Sequence, residues 1–412
     1  MSVTGFAGWL GTCPLLVRSR GMMDRDSGTR QRRQEGKTTL MHAMHRTSPC
    51  SVHPTRRTGF SLTELLVVIG IIVLLVGLLL VALGLVRNRA LRTRTEAVMN
   101  QFANACVAFQ SEHGFYPGVI PDEMIRDFPD ANGNPKLSST ENAMLHLMGG
   151  FRVLGPTDDD TAATPTAIVA DYIAYRSQAV ASNSSIELIF GAAPNRWKIV
   201  IDTRKIGEGP TINGKPFAPY FTPGSSDVAS ASYPITSPPE PANPDPTPHD
   251  GNPNNRYIPD LVDAWGQPII YIKQARNRGP LVDQVTAGVR PQFTLAGVSR
   301  YMQSTALGER SQNQNARSIF GSGTGGLSAV NRDAAWAAML AHQSFYKSTT
   351  PVSAAARGAF VLISAGPDGI YFSRTDGPGK AAPIADANIQ NIINPGPRIF
   401  EDFDDVRIYS GG

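Results

Sequence analysis

The stretch "RRTGFSLTELLVVIGIIVLLVGLLLVALGLVRNR", Arg56 to Arg89, decides the fold. A single carboxylate, Glu64, opens a run of 22 residues, Leu65 to Val86, that carries no charge. As a helix the run would extend ~33 Å at 1.5 Å per residue, which matches a bilayer hydrocarbon core of about 30 Å. Two other readings stay open. A secretory signal has a shorter apolar region, but "ALG" at 82–84 imitates a signal-peptidase site. A buried core helix would be expected to show a polar face, and this run has none.

Local helix physics explains the mouth of the run. "SLTE" at 61–64 is a capping box, with Ser61 as N-cap and Glu64 three residues on, and Phe60 and Leu65 are spaced as a hydrophobic staple. A carboxylate also suits the positive end of the helix dipole. The same carboxylate drawn into a bilayer would need a cationic partner. Gly70, Gly77 and Gly84 recur every seven residues. That spacing suits close helix approach in a membrane, and it equally reflects the general frequency of glycine in such helices. Arginines flank both ends, at 56 and 57 and at 87, 89, 92 and 94, so the charge rule does not orient the span.

The charge of +4 is uneven: residues 1–59 carry +7 and the remainder −3. The basic, periodicity-free segment 1–59 reads as disordered or as a leader. No nucleic-acid-binding motif accompanies it, so no nucleic-acid partner is expected. Of three cysteines only Cys106 lies beyond residue 59, which leaves no intramolecular disulfide once that segment is removed.

Beyond the run, residues 87–113 read as an amphipathic helix. Leu91, Val98, Phe102, Ala105, Cys106 and Phe109 mark its apolar face, so a buried core role is expected for Cys106, and Gly114 is a C′ stop. "FYPG" follows at 115–118. "AIVADYIAY" at 167–175 and "RWKIVID" at 196–202 are strands or short helices, and residues 207–259 form a proline-rich loop. Residues 331–347 read as a helix capped by Asn331. The glycines of "FGSGTGGLSA" at 320–329 mark a flexible loop, not a phosphate cradle.

No nucleophile elbow or Walker loop is present; in "EGKTTL" Gln31 stands where the first glycine belongs. His113, His146, His249 and His342 show no metal-ligand spacing. The chain is therefore expected not to be an enzyme. The acidic C-terminal segments hold the best candidate ligands for a hard cation, which takes about six to eight oxygens. They are Asp368 in "GPDG", Asp376 in "TDGPG", and Asp402, Asp404 and Asp405. A solvated acidic loop is the competing reading, and "GPDG" also makes a plain type I or II turn.

These blocks together resemble the type IV pilin and type II secretion pseudopilin family. The N-terminal signal matches in full: basic residues, Gly59, Phe60, then Glu64 as fifth residue of a mature chain and an apolar helix. The Tyr116-Pro117 turn, "DAWGQPIIYI" at 263–272, "FVLISAGPDGIYF" at 360–372 and "FDDVRIY" at 403–409 resemble the major, G-type pseudopilin, in the right order. Ala264 and Gln267 replace a proline and an asparagine of that pattern. The matched blocks cover about a quarter of the chain.

The resemblance implies an α+β fold: a long N-terminal transmembrane and amphipathic helix on a small antiparallel β-sheet domain, pilin-like, with loop-rich insertions. Residues 1–59 would be the leader, although Met41 or Met44 would start one of more usual length. Residues 60–114 would be the pilin helix, including the span 65–86. Residues 115–412 would be the extracytoplasmic domain, interrupted at 120–260 and 275–358. A prepilin peptidase would cut between Gly59 and Phe60 and methylate Phe60. The mature chain would be single-pass in the inner membrane with its C-terminal domain in the periplasm. Assembly would run through a homo-oligomeric filament with other pseudopilins and an inner-membrane platform, Glu64 pairing with the Phe60 amine of a neighbour. Calcium would bind at Asp368, Asp405, Asp404, Asp376 and Asp402. The alternatives are a type IV pilus or minor pilin subunit, and a membrane-anchored extracytoplasmic binding protein.

Overall fold

A computed structural model describes residues 59–128, 136–192, 195–229, 258–282, 290–295, 318–320, 329–347, 354–373, 377 and 396–410. The chain divides into two units, residues 1–66 and 67–412. In the first, the described residues are Gly59, Phe60 and the start of helix α1. That helix runs from Leu62 to His113, 52 residues without a break.

In the second unit α1 changes character along its length. From Val67 to Val86 the described large apolar side chains are at least 45% exposed, as a lipid-facing segment would be in the absence of lipid. From Thr95 the apolar stripe turns inward. Val98, Phe102, Ala105, Cys106 and Phe109 are buried, as the spacing predicts, while Leu91 is half-buried. Met99 joins them at full burial. Burial pushes the Cys106 thiol far above its usual range, so it packs as a small apolar group. Gly114 stops the helix as expected: its N–H donates to Gln110 O at 2.8 Å from a left-handed φ of 82°.

Three strands form the central sheet: β8 (Ile270–Lys273), β9 (Phe360–Ser364) and β10 (Val406–Tyr409), in the order β10-β9-β8 and antiparallel throughout. Ile270 pairs with Ile363, and Val406 with Ser364. Period-two alternation gives this sheet two apolar faces. Tyr271, Phe360, Leu362 and Val406 pack with Phe102, Cys106 and Phe109 of α1 and with Ala143, Met144 and Leu147 of α3 (Ser139–Met148). Ile270, Ile272, Val361 and Ile363 pack instead with α5 (Ala329–Leu340), whose Trp336 stacks on Phe320 at 4.3 Å. The sheet is thus the middle layer between helices. α3 lies within 120–260 and α5 within 275–358, so both inserted stretches contribute a core helix. α5 begins before Asn331, which places that residue inside the first turn; His342 instead caps the following 3-10 turn, accepting from Ser344 N–H.

A second sheet belongs to residues 151–202. β1 (Phe151–Leu154), β2 (Ser185–Phe190) and β3 (Trp197–Asp202) run in the order β1-β3-β2, with α4 (Ala167–Ala181) on one face. Val169, Tyr172 and Tyr175 of α4 meet Leu154 and Val200; Ile186, Leu188, Ile199 and Ile201 face the other way toward Ile120 and Leu145. "AIVADYIAY" is thereby helix and "RWKIVID" strand. Two-residue pairs complete the ladders: β4 (Thr211–Ile212) with β5 (Lys215–Pro216), and β6 (Val228–Ala229) with β7 (Asp260–Leu261). The short helix α2 (Asp122–Asp127) buries Ile125 in the core beside the second sheet. Most of the proline-rich loop, 230–257, lies outside the described residues.

Candidate functional site

Two places hold the residues singled out by the sequence. The first is the helix start. Phe60 is 80% exposed and precedes the capping box. The Ser61 N–H donates to Glu64 Oε2 at 2.8 Å, and the Glu64 N–H donates back to Ser61 Oγ at 3.2 Å. The Ser61 hydroxyl donates to the same carboxylate oxygen at 2.9 Å. In this state Glu64 serves its own helix, satisfying donors that the first turn leaves without partners.

The second is one end of the central sheet, where β8 starts, β9 ends and β10 starts. All three C-terminal sequence blocks arrive there. "DAWGQP" makes a tight loop around Asp263. Its Oδ1 accepts N–H groups from Trp265 and Gln267, both at 2.9 Å, and its Oδ2 accepts the Ser364 hydroxyl of β9 at 2.7 Å. The loop closes on itself, Asp263 N–H to Gln267 O at 2.7 Å. It is tied to α1 by the Ala264 N–H, which donates to the buried Thr95 hydroxyl at 3.0 Å. Burial raises the Asp263 carboxyl to about 6, against the lowering effect of these donors.

From β9 the chain enters "GPDG". Gly369 N–H returns to Gly366 O at 3.3 Å, and Asp368 at the third position is not left-handed, which makes the turn type I and not type II. Asp368 Oδ1 accepts Ile370 N–H at 2.8 Å. Gly366 has φ 71°, and a Cβ there would stand 3.0 Å from Asp404 O, so the close approach of the third block requires glycine. The Tyr371 hydroxyl then donates to Pro268 O. Burial, with the carboxylates of Asp263, Asp260 and Asp405 around it, pushes this phenol well above its usual range and keeps it a donor. Phe372 is held at φ 50°, a left-handed conformation costly for an aromatic residue. Both oxygens of the buried Asp405 accept its N–H, at 3.1 and 3.0 Å.

The five acids expected to bind calcium therefore have different roles. Asp405 and Asp368 hold backbone N–H groups. Asp402 is exposed at the end of a 3-10 turn, Pro397–Asp402. Asp404 is half-buried, and its Oδ1 has no hydrogen-bond partner. Asp376 lies outside the described residues. Among the described residues no group of three His, Cys, Asp or Glu side chains is arranged to hold a metal ion.

Asp263, Ser364, Tyr371 and Thr95 were not singled out from sequence. The first three lie inside the quoted blocks, and only their convergence in space shows what they do. Thr95 carries no sequence signal beyond its place on the inward stripe. Comparisons of the chain with protein-family models, with curated proteins and with solved structures found no match.

Proposed function

We propose that this chain is a pseudopilin-like structural subunit of a type II secretion filament. A prepilin peptidase cuts between Gly59 and Phe60 and N-methylates Phe60. The mature helix then anchors in the inner membrane through Leu65–Val86, with the pilin-like α+β domain in the periplasm. One observation carries the reading: Gly59-Phe60, the carboxylate of Glu64 and an uncharged 22-residue run stand in that order at the head of a single 52-residue helix. The convergence of the three C-terminal blocks at one end of the central sheet supports it.

Cleavage changes the partner available to Glu64. The new amine of Phe60 is positively charged at neutral pH. In a dry filament core the Glu64 carboxylate pairs with that amine on a neighbouring subunit, and the pair sets register more than stability. Substitution Glu64→Ala is expected to abolish incorporation into filaments while leaving cleavage intact. Undiminished incorporation would refute the pairing.

A type IV pilus or minor pilin role is the second reading. The β1-β3-β2 module with α4 favours it, being a folded addition outside the layer that packs on α1. Abundance along purified filaments decides between the two, since a tip subunit is present in few copies.

Calcium enters this proposal through Asp404, whose buried Oδ1 has no hydrogen-bond partner, with the exposed Asp402 two residues away in the chain as a further carboxylate. Added calcium would then raise the melting temperature, and Asp404→Ala would remove the rise. An unchanged melting temperature in the parent chain would take calcium out of the reading.

A further inference from the structure

Four arginines follow the apolar run within eight residues, Arg87, Arg89, Arg92 and Arg94, and they divide by depth. At 1.5 Å per residue the backbone of Arg87 stands ~1.5 Å and that of Arg89 ~4.5 Å past Val86, with Arg92 at ~9 Å and Arg94 at ~12 Å. The headgroup layer on each side of a bilayer is about 5–8 Å deep. The two arginines beyond it are spent within the protein. Arg92 pairs with Glu96 at 3.1 Å, and Arg94 reaches Asp227 and Ser226 Oγ, each at 2.5 Å. The two inside it, Arg87 and Arg89, are exposed and form no ion pair among the described residues.

Helix geometry puts Arg87 and Arg89 on nearly opposite sides of α1, about 200° apart. They make a collar and not a single face. Their side chains lean toward the helix N-terminus, back toward the apolar run, and their stems can follow its surface while the guanidiniums stay among polar groups. Guanidinium forks suit phosphate oxygens in a bidentate manner.

We propose that Arg87 and Arg89 form a binding collar for anionic phospholipid headgroups in the leaflet on the C-terminal side of the span. The collar fixes how deep α1 sits, because sliding the helix by one turn, about 5.4 Å, would carry at least one of the two arginines out of the headgroup layer. It rests on the membrane span of Leu65–Val86 and does not depend on filament assembly.

The test uses the full chain reconstituted in phosphatidylcholine bilayers with trace spin-labelled phosphatidylglycerol or phosphatidylcholine. Electron spin resonance reads the relative association of each label with the protein. The collar predicts several-fold preference for phosphatidylglycerol, on the order of fivefold for each arginine at most, weakening in high salt. Arg87→Gln with Arg89→Gln should bring the ratio close to one, and Arg92→Gln should leave it unchanged. Equal association of the two labels with the parent chain would overturn the inference, as would selectivity retained in the double variant. Failure of the chain to float with the vesicles would overturn the collar and the span together. If selectivity holds but the mature chain does not start at Phe60, the collar stands and the filament reading falls.

Discussion

Two buried titratable side chains, His146 and Asp263, pull the stability of the folded part beyond the apolar run in opposite directions. His146 sits beneath the turn after α1, its Nδ1 accepting Gly118 N–H at 3.1 Å. Burial first, and the Lys273 charge second, lower its pKa to about 3. The unfolded chain, with a pKa of about 6.5, therefore binds the extra proton as pH falls through the window between these values, and stability drops, by roughly 3 kcal/mol at pH 4. Asp263 has the reverse sign. Its pKa is raised to about 6, so the native state binds the extra proton between about pH 4 and 6, and stability drops as pH rises through that window. The two slopes oppose each other in the parent protein. In urea titrations, His146→Asn, which keeps an acceptor for Gly118, should leave a chain that weakens from pH 4 to 6. Asp263→Asn should leave one that weakens from pH 6 to 4. Identical pH profiles in parent and variants would contradict both assignments. Neither residue was legible as titrating from sequence. In the sequence His146 is a histidine without metal-ligand spacing, and Asp263 is the first residue of "DAWGQP". What shifts them is burial and neighbours brought from afar.

The elements were legible where local rules govern them and obscure where tertiary contacts do. "SLTE" at 61–64 read as a capping box and forms one. "SSTE" at 138–141 follows the same grammar within the inserted stretch 120–260. It starts α3, with Ser138 N–H to Glu141 Oε2 at 2.7 Å. Phe102 and Phe109 were visible from their spacing, and they anchor α1 on the central sheet. What no periodicity could reveal is how α3 covers the outer edge of β8. The Thr140 hydroxyl donates to Ile269 O at 2.6 Å and accepts Tyr271 N–H at 3.1 Å, standing in for a missing strand. Such cover guards an edge against stray pairing. Thr140→Val keeps the shape and removes both bonds. It should cost about 2–4 kcal/mol, since two buried backbone groups lose partners. Hydrogen exchange should show the Tyr271 amide losing protection first. An unchanged exchange rate at that amide would refute the edge-guarding role.

At the scale of the whole molecule, one helix links two environments. Its first part is apolar and exposed, and its second part is the scaffold on which a three-stranded sheet is built. The α+β class, the long apolar helix and its amphipathic continuation were all present in the sequence because helix periodicity is a local signal. The added sheet of residues 151–202 was not, because β1 pairs with β3 across α4 and β2, and the 42 residues between Leu154 and Trp197 hide that ladder. The meeting of the three C-terminal blocks at one sheet end is likewise a property of the fold alone. The functional account turns on what happens at the head of that helix. The most direct measurement is mass spectrometry of the N-terminal peptide from the membrane-purified protein, with a prepilin peptidase present in the cell. The account predicts a chain beginning at N-methyl-Phe60. A peptide running intact through Gly59–Phe60, or a chain beginning after Gly84, would contradict it.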